Sequence, residues 1–274
     1  MGEGPTSPTL HTPLVSLRGV TKHFGGVRAL EEVSFDICAG DVIGLVGDNG
    51  AGKSTLIKIL SGVHEPTAGE IELEGRAVAI AQPGEAQRLG VETVYQDLSL
   101  INAFTAAENV FLGRELSLGR GPALFRLMRP RAMAEATVRR LRALHIDIPG
   151  LSVRPVERMS GGQRQLVAIA RGAFWGGKLL LLDEPTAALG VRESREVLEL
   201  IRRLRASGLT IVMATHNLEH LWAVCNRVIV MRHGRKVADA ASGETNLVEV
   251  VGYMAGAREP RGSGESLAAT AFPQ

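Results

Sequence analysis

Residues 47–55 read Gly-Asp-Asn-Gly-Ala-Gly-Lys-Ser-Thr, and this G-x-x-x-x-G-K-S spacing constrains the 274-residue chain more than any other feature. Gly47, Gly52, Lys53 and Ser54 carry the pattern. Without large side chains, the backbone can wrap a phosphate with its N–H groups. The lysine then neutralises the outer phosphates and the serine hydroxyl ligates Mg²⁺. Asn49, Gly50 and Thr55 complete the expected cradle. The flanks agree. Residues 41–46 form a short apolar run suited to a buried strand, and residues 55–60 open a helix, whose N-terminus favours anions. A Gly-rich turn matching by accident would need neither flank. The chain is expected to hold a nucleoside triphosphate on a strand–loop–helix unit.

The rest of the pattern suits such a unit. Residues 15–20 and 33–37 alternate apolar and polar, as strands of a small antiparallel sheet do. Residues 70–75 alternate and end in a turn glycine, and residues 91–95 form another strand that Gln96 ends. Helical spacing runs over 106–112 and 131–144, and the Gly-, Arg- and Leu-rich stretch 113–129 between them takes no assignment. Residues 179–182 are four leucines, a buried strand, and residues 210–214 are a second; a charged amphipathic helix, 192–205, separates them. Strands alternating with helices predict an α/β fold: a mainly parallel sheet covered by helices, with an antiparallel β subdomain and a helical subdomain at about 97–174. One domain is expected over 14–252, between disordered tails at 1–13 and 253–274 that are rich in Gly, Pro, Ser and Thr.

Composition narrows the partners. Formal net charge is +2 and aromatics are 4%, which supplies neither the basic footprint nor the stacking surfaces of a nucleic-acid binder. No apolar run approaches the ~20 residues a membrane span needs, and the N-terminal stretch lacks the pattern of a signal peptide. Contact with a membrane is therefore expected through a partner. Cys38 and Cys225 sit in apolar patterns and read as small core residues in a reducing compartment.

Two further groups carry chemistry. Four leucines run into Asp183 and Glu184. An Asp at the C-terminal end of such a strand lies beside the phosphate loop and can hold Mg²⁺. A carboxylate next to it can polarise the water that attacks a γ-phosphate. Ser160-Gly161-Gly162-Gln163 opens a helix, and a serine followed by two glycines leaves hydroxyl and N–H groups for an anion. His216 and His220 are four apart, but no Cys or further His joins them nearby, so a metal site is not expected there.

With these motifs in order, the chain resembles the ATP-binding cassette ATPases over roughly residues 14–252. Met159-Ser160-Gly161-Gly162-Gln163 is similar to the family signature, with Met where Leu is more usual. The resemblance implies that Gln96 serves Mg²⁺ and senses a membrane partner, that His216 contacts the γ-phosphate, and that Phe24 stacks on adenine. Lys53, Ser54, Asp183 and Glu184 keep the roles derived above. It further implies two cassettes, expected as a homodimer, packed head to tail around two ATP molecules. Each ATP would meet one subunit's phosphate loop and the other's Ser160. Closure on ATP and reopening on hydrolysis would drive a transmembrane permease at the cytoplasmic face of the membrane.

Where the family usually reads Ser-Ala-Leu-Asp, this chain reads Ala187-Ala188-Leu189-Gly190, so the carboxylate that reaches across the dimer is missing. Residues 93–98 and 107–115, with Val191-Arg192-Glu193 after the variant loop, resemble the monosaccharide importers of the ribose, xylose and fructose type. That implies a solute-binding protein outside the membrane. An importer or exporter subunit for another small solute is one alternative, and a soluble cassette acting on ribosomes or DNA is the competing class. The single cassette and the short spacing between motifs argue against it. A permease helix is expected in a groove walled by Leu98, Leu100, Phe104, Val110, Phe111 and Leu112.

Overall fold

The apolar runs become strands in two sheets. The computed structural model describes residues 12–118, 127–146, 148, 150–151 and 153–259. In chain order, β1 (Val15–Phe24), β2 (Val27–Ile37), β3 (Val42–Val46), α1 (Lys53–Leu60), β4 (Ala68–Leu73), β5 (Arg76–Ala77), α2 (Pro83–Arg88) and β6 (Val91–Val94) form the first half. A helical lobe follows with α3 (Ala106–Phe111), β7 (Ser117–Leu118), β8 (Leu127–Met128), α4 (Pro130–Ala143) and α5 (Gly161–Phe174). Then come β9 (Leu179–Asp183), α6 (Val191–Ala206), β10 (Thr210–Ala214), α7 (Leu218–Trp222), β11 (Arg227–Arg232), β12 (Arg235–Ala241) and α8 (Leu247–Ala255).

The larger sheet has the order β12-β11-β3-β10-β9-β6, parallel except for the β11–β12 hairpin. The smaller is antiparallel, β2-β1-β4-β5. Strand periodicity divides the core. Ile43, Leu45, Leu179, Leu181, Val212, Ile229 and Met231 face one side, where α1 and the antiparallel sheet pack. Val42, Val46, Leu180, Leu182, Ile211, Met213, Val228 and Val230 face the other, against α5, α6 and α8. Runs that are apolar at every position are what a two-sided parallel strand requires. Gly44 breaks the run for a steric reason: a Cβ there would sit 2.2 Å from Leu221 Cδ1 of α7.

The lobe has its own small core. Val110, Phe111 and Met133 pack with Phe174 and Trp175, the Phe111, Phe174 and Trp175 rings meeting edge-on at 4.9–5.2 Å. Loop 97–105 is pinned from two helices. The Asn109 carboxamide on α3 accepts from Ile101 N–H at 2.7 Å and donates to the carbonyls of Ile101 and Thr105 at 3.1 and 3.0 Å. The Arg171 guanidinium on α5 donates to the carbonyls of Ser99 and Leu98 at 2.8 and 3.1 Å.

Several expectations need correction. Ordered structure continues past residue 252: α8 runs to Ala255 and Tyr253 is buried, so the tail expected from residue 253 begins too early. Residues 1–11 and 260–274 lie outside the described residues. The unassigned stretch 113–129 contains the two-residue pairing of β7 with β8, and its centre, 119–126, also lies outside them. Cys225 is a core residue whose thiol burial pushes up to about 12, but Cys38 is exposed, its N–H tied to the Asp41 carboxylate in the turn after β2.

Replacing Asn109 with alanine strands the Ile101 N–H, while the carbonyls of Ile101, Phe104 and Thr105 keep backbone donors. A buried group left without its partner costs about 1–3 kcal/mol. Asn109→Ala should lower the chemical-denaturation midpoint accordingly and speed proteolysis within 97–105. An unchanged midpoint would mean that the loop is held by other contacts.

Candidate active site

Parallel register brings the chemistry to one edge. Ala214 pairs with both Leu45 and Asp183, so β3, β10 and β9 end together. The loops that follow these strands therefore meet, as ligand-binding loops do at the carboxyl ends of parallel strands.

The loop after β3 is built for close approach of backbone. At Gly47 a Cβ would lie 2.2 Å from the Met231 carbonyl oxygen, and at Gly52 2.7 Å from Leu30 Cδ2 and 2.8 Å from the Ala29 carbonyl oxygen. Gly50 and Gly52 have φ of 81° and 103°, a region that side-chain-bearing residues avoid. Gly52 caps α1, whose first residues are Lys53, Ser54 and Thr55. Asn49, Gly50 and Ser54 are exposed at the mouth of the loop.

Lys53 is buried, and its ammonium donates to the carbonyls of Gly47 and Asp48 at 2.6 and 3.1 Å. Burial lowers its pKa, and the nearby Glu184, Asp183 and Asp48 oppose that shift. At the end of β9, Asp183 accepts from the Ser54 hydroxyl at 3.1 Å. Burial raises the Asp183 pKa; the Ser54 hydrogen bond works the other way. These two oxygens are hard donors of the kind Mg²⁺ takes.

Glu184 holds a left-handed conformation, φ 51°, with its N–H bonded to the Ala214 carbonyl at 2.8 Å. Such a conformation costs a non-glycine residue about 1–2 kcal/mol. It turns the carboxylate toward the loop after β10. There His216 Nδ1 lies 2.9 Å from Glu184 Oε1, and Thr215 Oγ1 donates to Oε2 at 3.4 Å. A carboxylate can only accept, so the proton of this pair sits on His216 Nδ1. In the neutral ring Nε2 is then an acceptor, and it donates only as the imidazolium. His220 Nδ1 meets the Thr186 hydroxyl at 2.9 Å, on α7 rather than on a face shared with His216. Among the described residues no group of three metal-ligating side chains occurs.

The structure thus brings Lys53, Ser54, Asp183, Glu184 and His216 together. Gln96 stands apart. It is exposed after β6 and lines an open cleft with Gly161, Gln165 and Ala187–Leu189, and among the described residues no hydrogen bond joins it to Ser54 or Asp183. Phe24 ends β1 at 43% exposure, with the His64 ring edge-on at 5.1 Å and Lys22 Nζ 5.2 Å from its centroid. Ser160 caps α5 reciprocally with Gln163: Gln163 N–H donates to Ser160 Oγ at 3.3 Å and Ser160 N–H to Gln163 Oε1 at 3.1 Å. No hydrogen bond among the described residues ties Ser160–Gln163 to the phosphate loop.

Residues 30–187 match the protein family described as ABC transporter. Over 252 residues the chain is 43% identical to the fructose import ATP-binding protein FrcA of Rhizobium meliloti, covering 90% of this chain and 96% of that one. It is 44% identical over 241 residues to the xylose/arabinose import ATP-binding protein XylG of Sulfolobus acidocaldarius, covering 88% and 93%. Among solved structures, the dimeric bacterial ABC transporter cassette MJ0796 matches at a TM-score of 0.70 and 26% identity, over 83% of this chain and 98% of that one. The chain belongs to the ABC transporter family. Its two sheets and helical lobe are those of the family's ATPase cassette, and no helix of the described residues is long and apolar enough to cross a membrane.

Sequence reasoning missed several residues of this cassette. Thr215 precedes the histidine and braces Glu184, Arg171 holds the loop beyond Gln96, and Glu193 reaches the turns at both Gly162 and Gly190. An Arg that ends the apolar run 166–170 was the available signal for Arg171. The expected docking groove is also smaller. Val110 and Phe111 face inward, since α3 has one apolar face and the lobe core takes it. Leu98 and Leu100 are half-buried against the main core, while Phe104 and Leu112 stay exposed together with Ile101.

Lys53→Ala removes the one side-chain cation that the phosphate loop contributes. A hydrogen bond to a charged group contributes about 1.5–3 kcal/mol, on the order of ten- to a hundred-fold in affinity. Nucleotide titration of the folded variant should show at least that loss. Unchanged affinity would remove the phosphate-loop reading.

Proposed function

We propose that this chain is the ATP-hydrolysing subunit of a monosaccharide importer, working as a pair of cassettes beneath a transmembrane permease at the cytoplasmic face of the membrane. A solute-binding protein would deliver the sugar from the other side. The observation that carries the ATPase reading is the Glu184–His216 pair beside Lys53, Ser54 and Asp183. The names of the relatives, import proteins for fructose and for xylose and arabinose, support the sugar. The dimeric solved cassette supports the pairing.

In this reading each residue acts through its own chemistry. Backbone N–H groups of the loop from Gly47 to Thr55 bind the phosphates, and Lys53 leaves its carbonyl partners to neutralise the outer ones. Ser54 and Asp183 would hold Mg²⁺, which supplies charge neutralisation at the phosphate oxygens when bound. Glu184 accepts from the attacking water and polarises it, while His216 fixes the carboxylate through Nδ1 and, as the imidazolium, donates from Nε2 to the γ-phosphate. Gln96 sits on an exposed loop where it can turn toward the metal or the permease. Phe24 offers an exposed ring face to adenine, and Ser160, Gly161, Gly162 and Gln163 face the nucleotide of the second cassette. Ile101, Phe104 and Leu112 form the exposed apolar surface that receives the permease.

Glu184→Gln keeps shape and loses the charge that polarises water. Turnover should fall on the order of a hundred- to ten-thousand-fold, with nucleotide binding retained. Near-normal turnover would hand the base role to another group. Phe104→Glu tests the transport half. In the complex with its permease, sugar uptake should be lost while the isolated chain still hydrolyses ATP and melts at its normal temperature. Intact uptake and assembly would place the docking surface elsewhere.

A further inference from the structure

One carboxylate joins the two turns that the sandwich reading directs at a second cassette. Glu193, in the first turn of α6, accepts from Gly162 N–H through Oε1 at 3.4 Å and from Gly190 N–H through Oε2 at 3.2 Å. Gly162 is the second glycine of the signature turn, and a Cβ there would lie 2.9 Å from both Cβ and Cγ of Glu193. The glycine is therefore matched to this side chain as well as to an incoming phosphate. The Gly190 N–H, then the Gly162 N–H, hold the carboxyl below its usual acidity range against the opposing effect of burial, and the Ser160 hydroxyl adds to it. Two of the first three N–H groups of α5 are thereby committed inside the chain, Gly162 to Glu193 and Gln163 to Ser160. Gly161 N–H has no acceptor among the described residues.

Gly190 is not there for backbone reasons. Its φ is −70°, open to any residue, and a Cβ would meet Glu193 Oε2 at an ordinary 3.8 Å. A carboxylate at 190, usual in the family this chain resembles, would stand beside the Glu193 carboxylate and repel it.

We infer that Glu193 is a positioning residue for ATP-driven pairing: it locks the signature turn at 160–162 to the turn at 187–190, so that both meet the second cassette as one rigid surface. The inference rests on the sandwich reading of the signature. A flexible pair of turns would have to be ordered at each closure, an entropic cost that a pre-formed clamp avoids.

The test uses the full chain carrying Glu184→Gln, with dimer formation followed by sizing across an ATP titration. Adding Glu193→Ala should raise the ATP needed for half-dimerisation by roughly tenfold, the weight of one charged hydrogen bond, while nucleotide affinity of the monomer stays the same. Glu193→Asp should behave like alanine, because the shorter arm cannot reach both N–H groups. Glu193→Gln should fall between, since its amide offers one acceptor oxygen. Asn246→Ala removes a comparable helix cap on α8, where Glu249 N–H donates to Asn246 Oδ1 at 3.0 Å, and should leave dimerisation unmoved. Equal dimerisation with and without Glu193, in a background where Ser160→Arg blocks it, would overturn the inference alone. A Ser160→Arg chain that still dimerises would overturn the sandwich reading and this inference with it.

Discussion

Lys53 carries a charge into a buried place. The residue is 7% exposed, its ammonium leans on two loop carbonyls, and burial draws its pKa down. Such a group needs negative charge close by, or it sheds its proton. Glu184 and Asp183 provide it, and both come from the end of a strand that is not a sequence neighbour of the loop. The order β3-β10-β9 puts one strand between them, and parallel register levels the three ends. Each parallel connection needs a helix to bring the chain back, so α1, α6 and the lobe's α5 follow from the same requirement. Sheet order, crossover helices and loop positions together seat one cation beside two acids.

The same edge shows how conformational strain serves chemistry. Glu184 and Ala188, with φ of 51° and 58°, bracket the turn that leaves β9. Neither residue is glycine, so both conformations are held by surroundings: Glu184 by the Ala214 carbonyl and its two side-chain partners. A relaxed turn would carry the carboxylate away from His216. The cost is of the size that a few buried contacts of β9 offset.

What could be read in advance followed local pattern. The strands β3, β9 and β10 are apolar runs broken only by Gly44, Thr210 and the terminal Asp183, and α6 has a charged face opposite an apolar one, so each was legible from local pattern alone. The phosphate loop, Asp183, Glu184 and the Ser160 turn were legible because their chemistry lives in contiguous residues. The hairpin β11–β12 carries a local signal too, the apolar run 228–231 before the turn glycine Gly234. Other features depend on contacts across long separations. Glu193 meets Gly162 over 31 residues and Arg171 meets Ser99 over 72, and no periodicity announces either. Helical spacing marked the apolar face of α3 but not what covers it, so Val110 and Phe111 read as a partner surface although the lobe claims them. Tyr253 was assigned to a tail because the Gly- and Ser-rich composition beyond it begins only a few residues later.

Arg171 gives the lobe a mechanical property. It sits on the helix that Ser160 caps, and it grips the carbonyls of Leu98 and Ser99, two and three residues beyond Gln96. Asn109 grips the far end of the same loop from α3. The loop therefore has no slack of its own. A tilt of α5 would carry Leu98 and Ser99 with it, and Gln96 behind them like a bead on a short tether. The Ser160 turn and the Gln96 loop are thereby joined through one helix, with the guanidinium as the rivet.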